Sequence, residues 1–272
     1  VKVAEAWEPD AAMMSNICFA PNHVRAWRRS TYEQIGGHDA ALVLADDFDL
    51  CCRMYLATTI KRIAQCLYLY RRHDDQTSIA RNAELQPYAA GVADRYRYEL
   101  AVRWARLNNL AALDLGAAHD RPVGFVGLDR HAGADVNVRA DASGGLPFAT
   151  SSVGVVRAHD FLEHVADKVA MMNEIWRVLA PGGWLLSSTP SSDGRGAYQD
   201  PTHVSYWNEN SFWYYTTARY ARYVPEIVAR FQANRVRTYY PSVWHEQHQI
   251  SYVDAALVAV KDGYRPPGLV EW

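Results

Sequence analysis

Between Val153 and Pro190 the apolar and polar positions follow an order that predicts strand, helix, turn and strand. Val153, Val155 and Val156 make a short apolar run, the mark of a buried strand, which ends in the polar pair His159-Asp160. Val165, Val169, Met172, Ile175 and Leu179 then recur every third or fourth residue, so one face of a helix is apolar, and Asp167 stands where an N-cap belongs. Pro181-Gly182-Gly183 ends that helix and turns the chain, and Trp184 to Thr189 predicts a second buried strand. A β-α-β unit of this kind builds a parallel sheet. Ligands of open parallel sheets bind outside the carboxyl ends of the strands. His159, Asp160, Glu163 and His164 fall at such an end.

The same patterning extends on both sides. Leu110–Gly116, Phe125–Asp129 and Asp135–Asp141 predict three further strands, and Phe231–Tyr240 and Ile250–Val260 predict antiparallel strands that close the sheet. Only Ala117 to Gly124 separates the first two. A parallel crossover usually takes about a dozen residues or more, so the first helix is expected to be reduced to a turn or lost. Ser191–Phe212 is polar, aromatic and long for a plain connection, which suits a lid or binding loop. Ala83–Asn109 predicts a helix, with Tyr88, Val92, Tyr96, Leu100 and Trp104 mainly four apart, that links a front half to a back half.

Composition narrows the classes. A chain of 272 residues, 49% hydrophobic and 21% charged, holds one large or two modest globular domains. A formal net charge of -2 argues against nucleic acid as a main partner. No apolar run approaches the roughly 20 residues of a membrane span, and no basic-then-apolar leader opens the chain. Starting at Val1 suggests a fragment or a processed product. Cys18, Cys51, Cys52 and Cys66 show no CxxC spacing, which predicts a reducing, cytoplasmic setting. His159, Glu163 and His164 stand at i, i+4 and i+5, and His245-Glu246-Gln247-His248 is not the zinc-protease spacing, so the back half reads as metal-free.

Asp160-Phe161-Leu162-Glu163-His164, followed by the run from Asn173 to Leu186 with its R-V-L-A-P-G-G turn, resembles the later half of class I S-adenosylmethionine-dependent methyltransferases. The resemblance implies a Rossmann-like α/β sheet over residues 107–272, parallel with antiparallel closing strands, and S-adenosylmethionine as cofactor. It assigns Asp114, Gly116 and the position of Ala118 to the loop that receives the cofactor's amino-acid part. Ala118 replaces the family's second glycine, where a methyl group intrudes and positive φ is costly. Asp129, ending the second strand, is implied as the acceptor for the ribose hydroxyls, and Asp141 as the residue facing the adenine amino group. Asp141 as a loop cap is the equal alternative. His159, Asp160 and His164 flank the cofactor region. Asp200-Pro201-Thr202-His203, with Tyr206 and Trp207, resembles a segment of one methyltransferase subgroup. His203 is then either the general base for an oxygen acceptor or a structural pin for the loop. Asp200, Tyr206, Trp207 and Trp213 are candidate substrate contacts, the aromatics alternatively a hydrophobic anchor.

A different order of motifs fills the front. Trp27-Arg28-Arg29-Ser30, Ile35-Gly36-Gly37-His38-Asp39, Ala45-Asp46-Asp47-Phe48 and Tyr68–His73 resemble the second half of family 2 glycosyltransferases of the GT-A fold. The resemblance implies a partial GT-A domain over residues 1–85, with residues 86–106 as the linking helix. Asp47 becomes the catalytic base, and His73, after a strand from Cys66 to Tyr70, lies near a divalent metal. Asp46 and Asp47 as helix caps are the alternative. The nucleotide-binding half and its D-x-D motif have no room before Asn22, so the strands of this half are expected to leave an exposed sheet edge. Taken together, a methyltransferase acting on a hydroxyl of a glycan or glycosylated metabolite is expected. A glycosyltransferase lacking its first half, or a degenerate methyltransferase serving as glycan-binding scaffold, is the alternative.

Overall fold

The computed structural model describes residues 8–16, 24–69, 71, 73, 76–118 and 120–261. The chain divides into two compact units, with the boundary between Trp104 and Ala105.

The described residues of the first unit are helical: α1 (Ala11–Asn16), α2 (Arg29–Gln34), α3 (Asp46–Ala57), α4 (Thr77–Ala80) and most of α5 (Asn82–Leu107). Met13, Met14, Phe48, Cys52, Met54 and Leu100 are buried. Asp49, also buried, takes a hydroxyl hydrogen bond from Tyr96 at 2.7 Å and pairs with Arg53 at 2.6 Å. No strand forms among the described residues here, which corrects the strand expected from Cys66 to Tyr70; Tyr70 itself lies outside them. The reason is physical. A strand needs a neighbour for its backbone groups, and none is present among the described residues of this unit. Ile63, Leu67 and Leu69 are left exposed instead. No disulfide forms among the described residues, and Cys18 lies outside them.

The second unit is a seven-stranded sheet of β1 (Ala111–Leu115), β2 (Val126–Asp129), β3 (Val138–Arg139), β4 (Val153–His159), β5 (Leu179–Pro190), β6 (Phe231–Tyr239) and β7 (Tyr252–Ala259), in the order β3-β2-β1-β4-β5-β7-β6. β7 runs antiparallel to both its neighbours and the remaining pairings are parallel. Val153, Val155, Val156, Trp184 and Leu185 are fully buried, as double-sided apolar strands require. Between β4 and β5 lies α6 (Lys168–Val178), whose apolar stripe buries Met171, Met172, Ile175 and Val178. Asp167 caps it, accepting from the Ala170 amide at 2.9 Å.

Two connections differ from a regular crossover. Pro181-Gly182-Gly183 does not separate helix from strand. Leu179 already pairs with Val153, and the next partners are Val155 and Trp184, so Ala180–Gly183 bulges out within β5. Gly182 supplies the positive φ this excursion needs (79°). The link from β1 to β2 contains no helix among the described residues, as its length predicts. Side chains hold it instead. Arg121 donates to the carbonyls of Asp135 (2.9 Å) and Phe125 (2.8 Å).

Candidate functional site

The carboxyl ends of β1, β2, β4 and β5 converge on one edge of the sheet, and most of the residues expected to act lie there. At the end of β1 the chain turns through Gly116, whose φ is +75°. A Cβ there would stand 3.2 Å from the Phe161 ring, so both backbone and space call for glycine. Ala117 is buried. Ala118 is not among the positive-φ residues, so its methyl group carries no such strain. Asp114 does not open onto this turn as a free carboxylate. It is fully buried inside the sheet, with one carboxylate oxygen 2.9 Å from the Arg157 guanidinium and the other without a hydrogen bond. Burial raises its carboxyl above the ordinary range, against the pull of Arg157.

Asp129 ends β2. One of its oxygens accepts from the His131 amide at 2.7 Å, which fixes the turn and leaves the second oxygen for a ligand. Asp141 is exposed and accepts from the Ser143 hydroxyl (2.7 Å) and amide (2.9 Å), capping a 3-10 turn; these bonds hold its carboxyl below the usual range. His159 ends β4. Burial and the nearby Arg157 lower its imidazole to about 4, so it is neutral at pH 7. Asp160 follows with φ +44°, a strained conformation at the sheet edge.

The loop after Asp160 and the loop 200–205 are tied to each other. The amides of Val204 and Ser205 both donate to the Glu163 carbonyl, at 2.9 and 3.0 Å. Glu163 is 1% exposed. Its Oε2 accepts from the Thr189 hydroxyl at 2.6 Å, while Oε1 has no partner. Burial pushes this carboxyl up, and Thr189 opposes it. The His203 ring stands 5.0 Å from that of His164, edge to face. His203 Nδ1 lies 3.0 Å from the Ala197 carbonyl. His164 Nδ1 lies 3.2 Å from the Thr202 carbonyl and 3.2 Å from the Thr202 hydroxyl oxygen. That hydroxyl already donates to Asp200 at 2.7 Å. Acceptors therefore face Nδ1 of both imidazoles, and a tautomer with its proton on Nδ1 leaves Nε2 with a lone pair.

Of the aromatics, Trp207 and Phe212 are buried with ring centres 5.2 Å apart, whereas Tyr206, Trp213 and Tyr214 are exposed. A groove of about 620 Å³ is lined by Ala166–Val169 and Val204–Tyr206, and neither His203, Gly116 nor Asp129 lines it.

In the first unit, Asp46 pairs with His38 and Asp47 with Arg25, each at 2.9 Å, in the first turn of α3. Neither supplies a side-chain cap. Carboxylates there complement the helix dipole. His73 is exposed, its amide bonded to Gln76, and the structure groups no other described metal-ligating side chain with it, so the divalent metal expected there finds no support.

Arg157 and Thr189 were not anticipated, although both fix carboxylates at the sheet edge. The signal for the first was present: an arginine inside the run V-G-V-V-R-A-H has to meet a buried carboxylate.

A sheet in this order, with a glycine turn and a carboxylate at the ends of adjacent central strands, is the class I methyltransferase arrangement. Residues 108–187 match the family described as a methyltransferase domain. Over these residues the chain carries a methyltransferase domain. It is 32% identical over 152 residues to a Mycolicibacterium smegmatis protein described as a probable S-adenosylmethionine-dependent methyltransferase, covering 54% of this chain. The match spans 56% of that relative's length. Among solved structures, a Methanosarcina mazei S-adenosylmethionine-dependent methyltransferase is 14% identical with a TM-score of 0.40, covering 58% of this chain and 98% of that one. The 1,6-didemethyltoxoflavin-N1-methyltransferase of Burkholderia thailandensis, with bound S-adenosylhomocysteine, is 15% identical with a TM-score of 0.40, covering 73% and 95%. At these scores the likenesses carry no weight for function. No described helix is long and apolar enough to cross a membrane.

Proposed function

We propose that the second unit transfers a methyl group from S-adenosylmethionine to an oxygen acceptor, a hydroxyl of a glycan or glycosylated metabolite being the class favoured. The observation that carries the reading is the pairing of Gly116, at φ +75°, with Asp129 at the ends of neighbouring strands. Gly116 lets the cofactor's amino-acid part approach the backbone. The open oxygen of Asp129 accepts from the ribose. The bound cofactor supplies the methyl group on a sulfonium. Phe161 packs close above the Gly116 turn, so the loop after β4 borders the same place.

On the acceptor side, His203 Nε2 takes the hydroxyl proton while the new carbon–oxygen bond forms and the carbon–sulfur electron pair stays on sulfur. The rest of the work is alignment. Exposed Tyr206 and Trp213 offer faces on which a sugar stacks, and Tyr206 also lines the groove between Ala166–Val169 and Val204–Tyr206. Calorimetric titration with S-adenosylhomocysteine tests the reading. Binding in the micromolar range that Asp129→Ala weakens tenfold or more supports it. A folded chain that does not bind overturns it. On an accepted substrate, His203→Ala is expected to lower kcat by about 100-fold or more.

A further inference from the structure

Glu163, His164 and His203 come from two loops that the sequence separates by 39 residues, yet one ligand atom from each lies within 4.8 Å of the others. Each is prepared in a way its neighbours do not explain. The Glu163 carboxylate is buried, and its Oε1 has no hydrogen-bond partner. A buried carboxylate oxygen without a partner is costly, so something is expected to compensate it. Both imidazoles face acceptors at Nδ1, which suits the tautomer whose Nε2 lone pair faces a ligand. Metal-ligating histidines are held in this manner, donating the outer N–H to a carbonyl. The backbone ties from Val204 and Ser205 to the Glu163 carbonyl fix the two loops against each other.

We infer that Glu163, His164 and His203 form a binding site for a divalent first-row transition ion. The ligands are Glu163 Oε1 and Nε2 of each imidazole. Two imidazoles and one carboxylate favour ions of the Mn, Fe, Co and Zn type over magnesium or calcium. Ligand atoms around one such ion, at about 2.1 Å from it, lie roughly 3–4 Å apart, so the site closes by about 1 Å on binding. Three protein ligands leave positions open. The spacing of His159, Glu163 and His164 along one segment suggests no site; the third ligand arrives from the loop after β5.

The inference rests on the methyl-transfer reading only for its use: the acceptor oxygen takes an open position on the ion. Coordination makes that hydroxyl more acidic and its proton passes to solvent, so an ion held here replaces the general-base role proposed above for His203 with that of a ligand.

The test uses the whole chain, stripped with a chelator and titrated with Co(II), Mn(II) and Zn(II) by calorimetry and, for cobalt, by visible d–d absorption. One ion per chain is expected, with cobalt bands that report imidazole coordination. Glu163→Gln keeps shape and the Thr189 hydrogen bond but removes the charge, and is expected to weaken binding tenfold or more. His164→Ala and His203→Ala are expected to weaken it comparably. S-adenosylhomocysteine affinity of Glu163→Gln shows that the variant is folded. No ion bound by a chain that binds S-adenosylhomocysteine overturns the site and leaves His203 as base. Equal ion binding by all three variants also overturns it. Ion binding without S-adenosylhomocysteine binding supports the site and overturns the methyl-transfer reading instead.

Discussion

Gly116 is the residue on which the cofactor reading bears most directly. Its φ of +75° and the Phe161 ring 3.2 Å from the place of a Cβ make any side chain doubly unwelcome. Gly116→Ala is expected to cost about 1–2 kcal/mol in unfolding by urea and to weaken S-adenosylhomocysteine binding in calorimetry. His159 gives a pH signature. Its imidazole is lowered to about 4 by burial, whereas the unfolded chain titrates near the ordinary value of 6.5. Between these values the unfolded state binds more protons, so stability is full above pH 6.5 and falls as pH drops toward 4, by at most about 3 kcal/mol. Urea midpoints compared at pH 7 and pH 4.5 are expected to converge in His159→Asn relative to the parent. Residue roles were only partly legible. The acidic ends of the strands were visible as polar stops, but whether a carboxylate turns outward, as Asp129 does, or inward to Arg157, as Asp114 does, depends on which face of a sheet it lands on.

Among the elements, the pairing of β1 with β4 depends on the ion pair that crosses it. Arg157 is the hydrogen-bond partner of a fully buried Asp114, and its other nitrogen reaches Asp120 in the crossover. Arg157→Leu leaves that carboxylate buried alone and is expected to destabilise the domain by about 3–5 kcal/mol in denaturant unfolding. The double variant Asp114→Leu with Arg157→Leu is expected to recover most of the loss, because a buried pair can be replaced by apolar side chains at little cost. Apolar runs predicted β1, β2, β4 and β5 closely, and counting residues showed that the first crossover lacks a helix. The run Cys66–Tyr70 was equally apolar and formed no strand over its described residues, because periodicity records what a segment can bury and not whether a partner strand exists. Likewise Pro181-Gly182-Gly183 was legible as a break, but its place inside β5 follows from a register that only pairing with β4 defines.

For the whole molecule, two compact units meet the two signatures found along the sequence, with the division inside the long helix α5. The end of α5 belongs to the second unit: Gly154 of β4 has room for no Cβ because Ala105 occupies it. A fragment of residues 105–272 is therefore expected to melt cooperatively and to bind S-adenosylhomocysteine with the affinity of the full chain, as calorimetry of both would show. The sheet order has a further consequence for how such a chain is made. Among the described strands β6 pairs with β7 alone, and β7 sits between β5 and β6. During synthesis β6 leaves the ribosome with nothing to pair against, and must wait about 20 residues until β7 emerges. A nascent chain arrested just short of Tyr252 therefore lacks two paired strands of its sheet, so the sheet is completed only once β7 is out and offers chaperones an open edge until then.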